Sequence, residues 1–189
     1  TMDAKGKSPR KKVIIVGGVA GGASCAARLR RLDEKADILM VERGPYVSYA
    51  NCGLPYHVGG VIEKESSLLV GTEQMFRAMF AINARTNCEA IAIDPKKKTV
   101  NLRNVKTGEV TTESYDKLVL SPGIDMKYES VPGYSKEVSE IFPHAYQTSA
   151  VGKEQLMSSL SGMKDGGTFL MVMPNNPYRC PPGPYERAC

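Results

Sequence analysis

The stretch KVIIVGGVAGGASCAARLRRL, residues 12–32, decides the fold of this chain. KVIIV at 12–16 is a short apolar run rich in β-branched side chains and predicts a strand. Glycines follow at once, and 20–32 reads as a helix. DILMVE at 37–42 predicts a second strand, completing a βαβ unit with parallel strands and a right-handed crossover. In Gly17-Gly18-Val19-Ala20-Gly21-Gly22 the glycines lie between strand and helix, where a tight turn lets a phosphate approach the N–H groups at a helix N-terminus. The middle glycine of the usual dinucleotide fingerprint is replaced by Val19. Glu42 restores the signal: it stands 20 residues beyond Gly22 at the end of the second strand, where a carboxylate accepts hydrogen bonds from ribose hydroxyls and repels a 2′-phosphate. These residues point to a dinucleotide without separating FAD from NAD.

Beyond this unit, 43–71 is rich in Gly, Pro, Tyr and Asn and reads as a functional loop region with a short helical piece, followed by a helix near 72–80. The pattern then changes to short strands at 88–94, 98–104 and 110–115 separated by polar turns, an antiparallel meander inserted into the α/β unit. Lys117–Leu120 predicts a strand returning to the parallel sheet, ending at the turn Ser121-Pro122-Gly123. Residues 124–148 read as a connector, 149–162 as a helix, 168–173 (TFLMVM) as a strand and 183–189 as the start of another helix. The expected architecture is therefore a Rossmann-like dinucleotide-binding α/β domain with connector over 11–148, and at 149–189 the beginning of a second Rossmann-like domain.

Composition narrows the class. Hydrophobic residues at 42% and charged residues at 24% are ordinary globular values, which excludes a fibrous or disordered chain. The net charge of +5 is concentrated in Lys5, Lys7, Arg10, Lys11 and Lys12, a cluster without interleaved aromatic residues that reads as a solvated tail and not a nucleic-acid surface. No apolar run approaches the roughly 20 residues that span a bilayer. The expected compartment is the cytoplasm, or the periplasm if a leader precedes Thr1. Cys25, Cys52, Cys88, Cys180 and Cys189 contain no CxxC pair, so neither a disulfide framework nor a metal site is indicated.

Cys52 stands out. It lies in Asn51-Cys52-Gly53-Leu54-Pro55-Tyr56, ten residues past Glu42, on the chain that in a dinucleotide fold follows the ligand-binding edge. A thiolate there serves as nucleophile and electron donor. Cys25 and Cys88 read as buried apolar residues, and His57 and His144 as structural. Ser24, Arg28 and Arg31 stand at i, i+4 and i+7, so one helical face presents a hydroxyl and two guanidiniums either to a phosphorylated ligand or to solvent.

KVIIVGGVAGGASCAARLRRL together with VERGPYVSYANCGLPYHVGG resembles the coenzyme A-disulfide reductase, NADH oxidase and persulfide reductase branch of the pyridine nucleotide-disulfide oxidoreductases. The resemblance covers 11–123 and ends in YDKLVLSPG; this branch also carries Val at the position of Val19. It implies FAD held by Gly17, Gly18, Ala20, Gly21, Gly22, Glu42, Arg43 and the turn Ser121, Pro122, Gly123. It also implies a single redox cysteine at Cys52, coenzyme A contacts at Ser24, Arg28, Arg31, Ser48 and Asn51, NADH as electron donor and a homodimer in the full-length form.

From about residue 122 the chain is similar to another family. PGIDMKYESVPGYSKEVSEIFPHAYQTS and GGTFLMVMPNNPYRCPPGPYERA resemble the flavin subunit of flavocytochrome c sulfide dehydrogenase. There the cysteine of CPPGPYER, here Cys180, is half of a redox disulfide beside the flavin, and electrons leave for a cytochrome. Pro174-Asn175-Asn176-Pro177 follows the predicted strand in place of a second glycine fingerprint. The combined expectation is an FAD-dependent oxidoreductase acting on sulfide, persulfide or coenzyme A disulfide, in an N-terminal fragment or a hybrid chain. The rivals are a non-catalytic nucleotide-binding fragment and an ordinary NAD-dependent dehydrogenase.

Overall fold

A computed structural model describes residues 10–144, 146 and 150–175. Two compact units divide the chain: residues 1–50 with 69–124, and residues 51–68 with 125–189.

The first unit is built on a parallel sheet of β1 (Lys12–Val16), β2 (Asp37–Val41), β3 (Asn83–Arg85) and, after the meander, β7 (Lys117–Leu120), in the order β3-β2-β1-β7. Val13 to Val16 pair with Ile38 to Val41 on one side and with Lys117 to Leu120 on the other. Helix α1 (Ala20–Leu32) crosses between β1 and β2, and α3 (Glu73–Phe80) precedes β3. The meander β4 (Cys88–Asp94), β5 (Thr99–Asn104) and β6 (Val110–Ser114) forms a separate antiparallel sheet inserted between β3 and β7.

KVIIV has no polar alternation because both faces of β1 are covered. Successive side chains point to opposite faces, so Val13 and Ile15 pack with Ala23 and Ala26 of α1 and Phe76 of α3. Ile14 packs the other way, with Leu39 and Val41, against Val100 and Leu102 of the meander. Ile14 and Ile15 are both fully buried.

Two polar ties hold these layers. The guanidinium of Arg30, near the end of α1, donates to the carbonyls of Asp33, Glu34, Ala36, Phe80 and Ala81 at 2.7–3.2 Å, joining the α1–β2 loop to the end of α3. A planar fork of five donors suits this task; a lysine ammonium does not. Glu113 on β6 accepts from Lys12 of β1 at 2.6 Å and from Arg85 of β3 at 3.0 Å, clamping meander to sheet.

The second unit contains a 3-10 turn at Asn51–Gly53, α2 (Leu54–Val58), a 3-10 turn at Glu65–Leu68, two further turns at Tyr128–Ser130 and Val138–Glu140, and α4 (Ala150–Ser161). Leu54 and Leu68 are buried, and the buried Lys153 of α4 pairs with Glu65 at 2.5 Å.

The predicted elements from β1 to β7 appear within a residue or two of expectation, with three departures. Strand β3 is absent from the sequence reading because Asn83-Ala84-Arg85 carries no apolar pattern; its pairing with Leu39–Val41 makes it a strand. Lys12 is not part of a solvated tail but opens β1, its ammonium drawn in by Glu113. Residues 168–173, predicted as a strand, form none: Phe169, Leu170, Val172 and Met173 are exposed, and a strand exists only where another offers its edge. The helix predicted at 183–189 lies outside the described residues. Among them, no helix is long and apolar enough to cross a membrane, and no cluster of potential metal ligands occurs.

Replacement of Arg30 by Met leaves five carbonyls without their donor and is expected to cost about 2–3 kcal/mol in urea denaturation; an unchanged midpoint would show that these bonds are inert. Lys12 and Arg85 hold the Glu113 carboxyl below its ordinary value of 4.5, by hydrogen bonding first and charge second. Its stabilising contribution is therefore complete above 4.5 and fades as pH falls through the lower folded-state value. Glu113→Gln should lower stability at neutral pH and flatten the decline on acidification, read from urea midpoints across that range.

Candidate functional site

The candidate nucleotide site is the turn between β1 and α1. Gly17 has φ +94°, and a Cβ there would lie 2.0 Å from the carbonyl oxygen of Ser121. A Cβ on Gly22 would lie 1.7 Å from the carbonyl oxygen of Gly17. Both contacts are with backbone, which cannot swing aside, so glycine is required at each position. This close approach brings the mouth of α1 against β1 and the end of β7.

Glu42 completes the turn. Its Oε2 accepts from the N–H of Gly18 and its Oε1 from that of Gly44, both at 2.8 Å. A carboxylate has about four acceptor sites, so capacity remains for ribose hydroxyls. Helix α1 begins with Val19 at its cap, no side chain capping its first turn and no acidic residue in that turn. Its leading N–H groups thus face a ligand position with the positive end of the helix dipole behind them. Ala20 and Gly21 are exposed at that end, while Gly18 and Gly22 are buried. This donor set suits a pyrophosphate, and with Glu42 it fits an adenine dinucleotide such as FAD.

The structure brings together Gly17, Gly18, Ala20, Gly21, Gly22, Glu42 and Ser121, whose N–H donates to Val16 at 2.7 Å. Arg43 is exposed next to Glu42, and Pro122 and Gly123 are exposed beyond Ser121. Ser48 has φ +52°, uncommon for a residue with a side chain. Its N–H donates to the carbonyl of Gly18 and its carbonyl accepts from Val70, which holds the strained residue at the fingerprint turn. The nearby Tyr46 and Tyr49 stack on each other, with ring centroids 5.6 Å apart. Ser24, Arg28 and Arg31 share an exposed face of α1, and among the described residues neither arginine has an ion-pair partner.

Asn51 and Cys52 belong to the second unit. Cys52 lies at the centre of a 3-10 turn, exposed and free of any disulfide, immediately before α2. The turn is anchored by Leu54, 1% exposed, and by His57, whose Nδ1 is 2.7 Å from the carbonyl oxygen of Ile62. His57 is buried and held by this contact. Cys25 and Cys88 are half-buried against the two core clusters. Burial pushes the Cys88 thiol upward, with Arg85 opposing. Cys180 lies outside the described residues.

A parallel sheet with a glycine turn, an uncapped helix and a carboxylate just beyond β2 defines a Rossmann-type unit. Residues 11–158 match the pyridine nucleotide-disulphide oxidoreductase family, to which the chain belongs. Residues 153–189 match the central region of the flavoprotein chain of sulfide dehydrogenase [flavocytochrome c]. Coenzyme A disulfide reductase of Staphylococcus aureus strain JH9 is 47% identical over 112 residues, 59% of this chain and 26% of that enzyme. The chain therefore spans about a quarter of the length of the curated relatives it matches. The reduced Bacillus anthracis CoADR-RHD superposes with a TM-score of 0.69 at 38% identity, over 82% of this chain and 27% of that one. An NAD-dependent persulfide reductase from A. fulgidus gives 0.56 at 37% identity, over 59% and 21%. Both resemblances seen in the sequence are thereby borne out.

Gly22→Ala forces apart the β1–α1 contact on which the site stands. It is expected to cost about 2–4 kcal/mol, whereas Gly108→Ala, where only the positive φ matters and nothing lies within 4 Å, costs about 1 kcal/mol. Equal urea midpoints for the two variants would contradict this account.

Proposed function

We propose that this chain is the FAD-binding part of an oxidoreductase acting on sulfur, with Cys52 as the thiol that meets the substrate. The observation that carries the reading is the exposed, unbridged Cys52 on an anchored turn, in a chain whose fingerprint turn suits a dinucleotide. Residues 11–148 form the FAD-binding domain and connector, and 149–189 begin a second Rossmann-like domain. Gly17, Gly18, Ala20, Gly21 and Gly22 take the pyrophosphate of FAD, Glu42 the ribose, and Arg43, Ser121, Pro122 and Gly123 line the rest of its path.

The substrate is a low-molecular-weight disulfide or persulfide, with coenzyme A disulfide favoured by the relatives' names and by the exposed guanidiniums of Arg28 and Arg31. Ser24, Ser48 and Asn51 complete its contacts. The Cys52 thiolate attacks one sulfur of the substrate disulfide, the S–S bond breaks, and the departing thiolate takes a proton while Cys52 is left in a mixed disulfide. Bound FAD supplies the two-electron chemistry that passes reducing equivalents from NADH to that disulfide, regenerating two thiols.

A second reading rests on the match of 153–189 to the sulfide dehydrogenase flavoprotein: sulfide as electron donor, Cys180 as a redox thiol and a cytochrome as acceptor.

The test is the visible absorption spectrum of the purified chain before and after anaerobic addition of NADH or sulfide. Flavin bands bleached by NADH, with turnover of coenzyme A disulfide that falls about a thousandfold in Cys52→Ser at unchanged flavin content, are expected. Bleaching by sulfide alone, lost in Cys180→Ser, supports the second reading. Bound flavin without turnover makes the chain a nucleotide-binding module, and a colourless protein overturns the assignment of FAD.

A further inference from the structure

We propose that the connector 125–144 is an acid-sensitive latch of the unit that carries Cys52, with the half-buried imidazole of His144, whose two ring nitrogens are shielded from solvent, as its sensor. This inference does not depend on Cys52 being catalytic.

Both ring nitrogens of His144 are buried and lack a hydrogen-bond partner among the described residues. The imidazole packs against Tyr128 with ring centroids 6.2 Å apart, and Tyr128 packs in turn against Tyr134 at 5.9 Å. The hydroxyl of Tyr134 donates to the carbonyl of Phe142 at 2.7 Å, two residues before His144. Three rings and one hydrogen bond therefore close the connector on itself. Such a cluster tolerates a neutral imidazole at the cost of two unmade hydrogen bonds. An imidazolium there buries a charge and two unsatisfied donors, which is far more costly.

The groups facing the ring decide whether that charge finds compensation. Tyr128 packs directly on the ring, and the Tyr134 phenol beyond it is pushed upward from its ordinary value by burial. Glu140, on the turn Val138–Glu140, favours the imidazolium, but burial of the ring outweighs it and holds His144 below its ordinary value of 6.5. From α4, which packs against that turn, the charged groups are Lys153 and Glu154; Lys153 is paired with Glu65. No cation–carboxylate pair with His144 occurs among the described residues.

The sign follows. Above 6.5 the ring is neutral whether the connector is closed or open, and the latch is at full strength. As pH falls below 6.5 the open form takes up a proton that the closed form refuses, so opening is favoured until the lower closed-state value is reached. Loosening has a physical route to the thiol segment within the same unit: the turn Val138–Glu140 packs on α4, α4 packs on α2, and Lys153 ties α4 to Glu65. Helix α2 continues directly from the turn bearing Cys52.

His57 and His144 are the two histidines of the chain, which makes the test direct. The ring C–H signals are titrated by proton NMR, with His144→Phe, which keeps the aromatic packing and removes the titrating group, assigning the signal that disappears. Hydrogen exchange over 125–144 is followed by mass spectrometry between about pH 7 and pH 5.5, corrected for the intrinsic rate. The His144 midpoint should lie below 6.5, and exchange in 125–144 should accelerate by up to about tenfold per pH unit in the parent chain but not in His144→Phe. A midpoint at or above 6.5, or the same acceleration in the variant, overturns the proposal. Should His144→Phe fail to fold, the parent midpoint and exchange profile decide alone.

Discussion

The first unit depends on one close approach: the carbonyl oxygen of Gly17 against the α-carbon of Gly22, with the carbonyl of Ser121 pressed on Gly17 from the other side. No side chain fits between these backbone segments. Because they meet, α1 starts directly over the end of β1, its first N–H groups are left without a capping side chain, and the end of β7 becomes a wall of the same turn. The Glu42 carboxylate then holds Gly18 and Gly44, so β2 delivers the acid to the position where α1 begins. A turn suited to a phosphate, with a carboxylate beside it, thus comes from backbone geometry, with few side chains involved.

The remaining layers keep that geometry rigid. A strand covered on both faces cannot slip without exposing apolar surface, and β1 is gripped by α1 and α3 on one side and by the meander on the other. The two polar ties act where apolar packing has no directional control. Arg30 gathers carbonyls from the loop after α1 and the end of α3, and Glu113 draws together the first residue of β1 and the last of β3. Each collects donors or acceptors from segments far apart in sequence, so each fixes how elements are placed and not merely that they form.

The second unit has a different character. Short turns, two small helices and the connector are held by a few specific contacts: Leu54 and Leu68 in the interior, Lys153 on Glu65, and the rings of Tyr128, Tyr134 and His144. A region with few buried apolar residues opens more readily than a sheet core. The exposed Cys52 lies in this unit and the glycine turn in the other.

The amino-acid sequence by itself determined the βαβ unit, the meander and the return strand, and singled out Glu42 and Cys52 as residues of interest. These rest on local periodicity, glycine conformation and short-range spacing, all of which are written along the chain. It also carried both family resemblances, because they reside in contiguous motifs. Only the tertiary structure decided that Asn83-Ala84-Arg85 is a strand, that Lys12 is held by Glu113, that Arg30 joins α1 to α3, and that Ser48 is held in a left-handed conformation against Gly18. It decided too that 168–173 forms no strand and that the ring nitrogens of His144 are buried without a hydrogen-bond partner among the described residues. Those features depend on which distant backbone or side chain lies alongside, and a one-dimensional pattern of apolar and polar residues does not specify that neighbour.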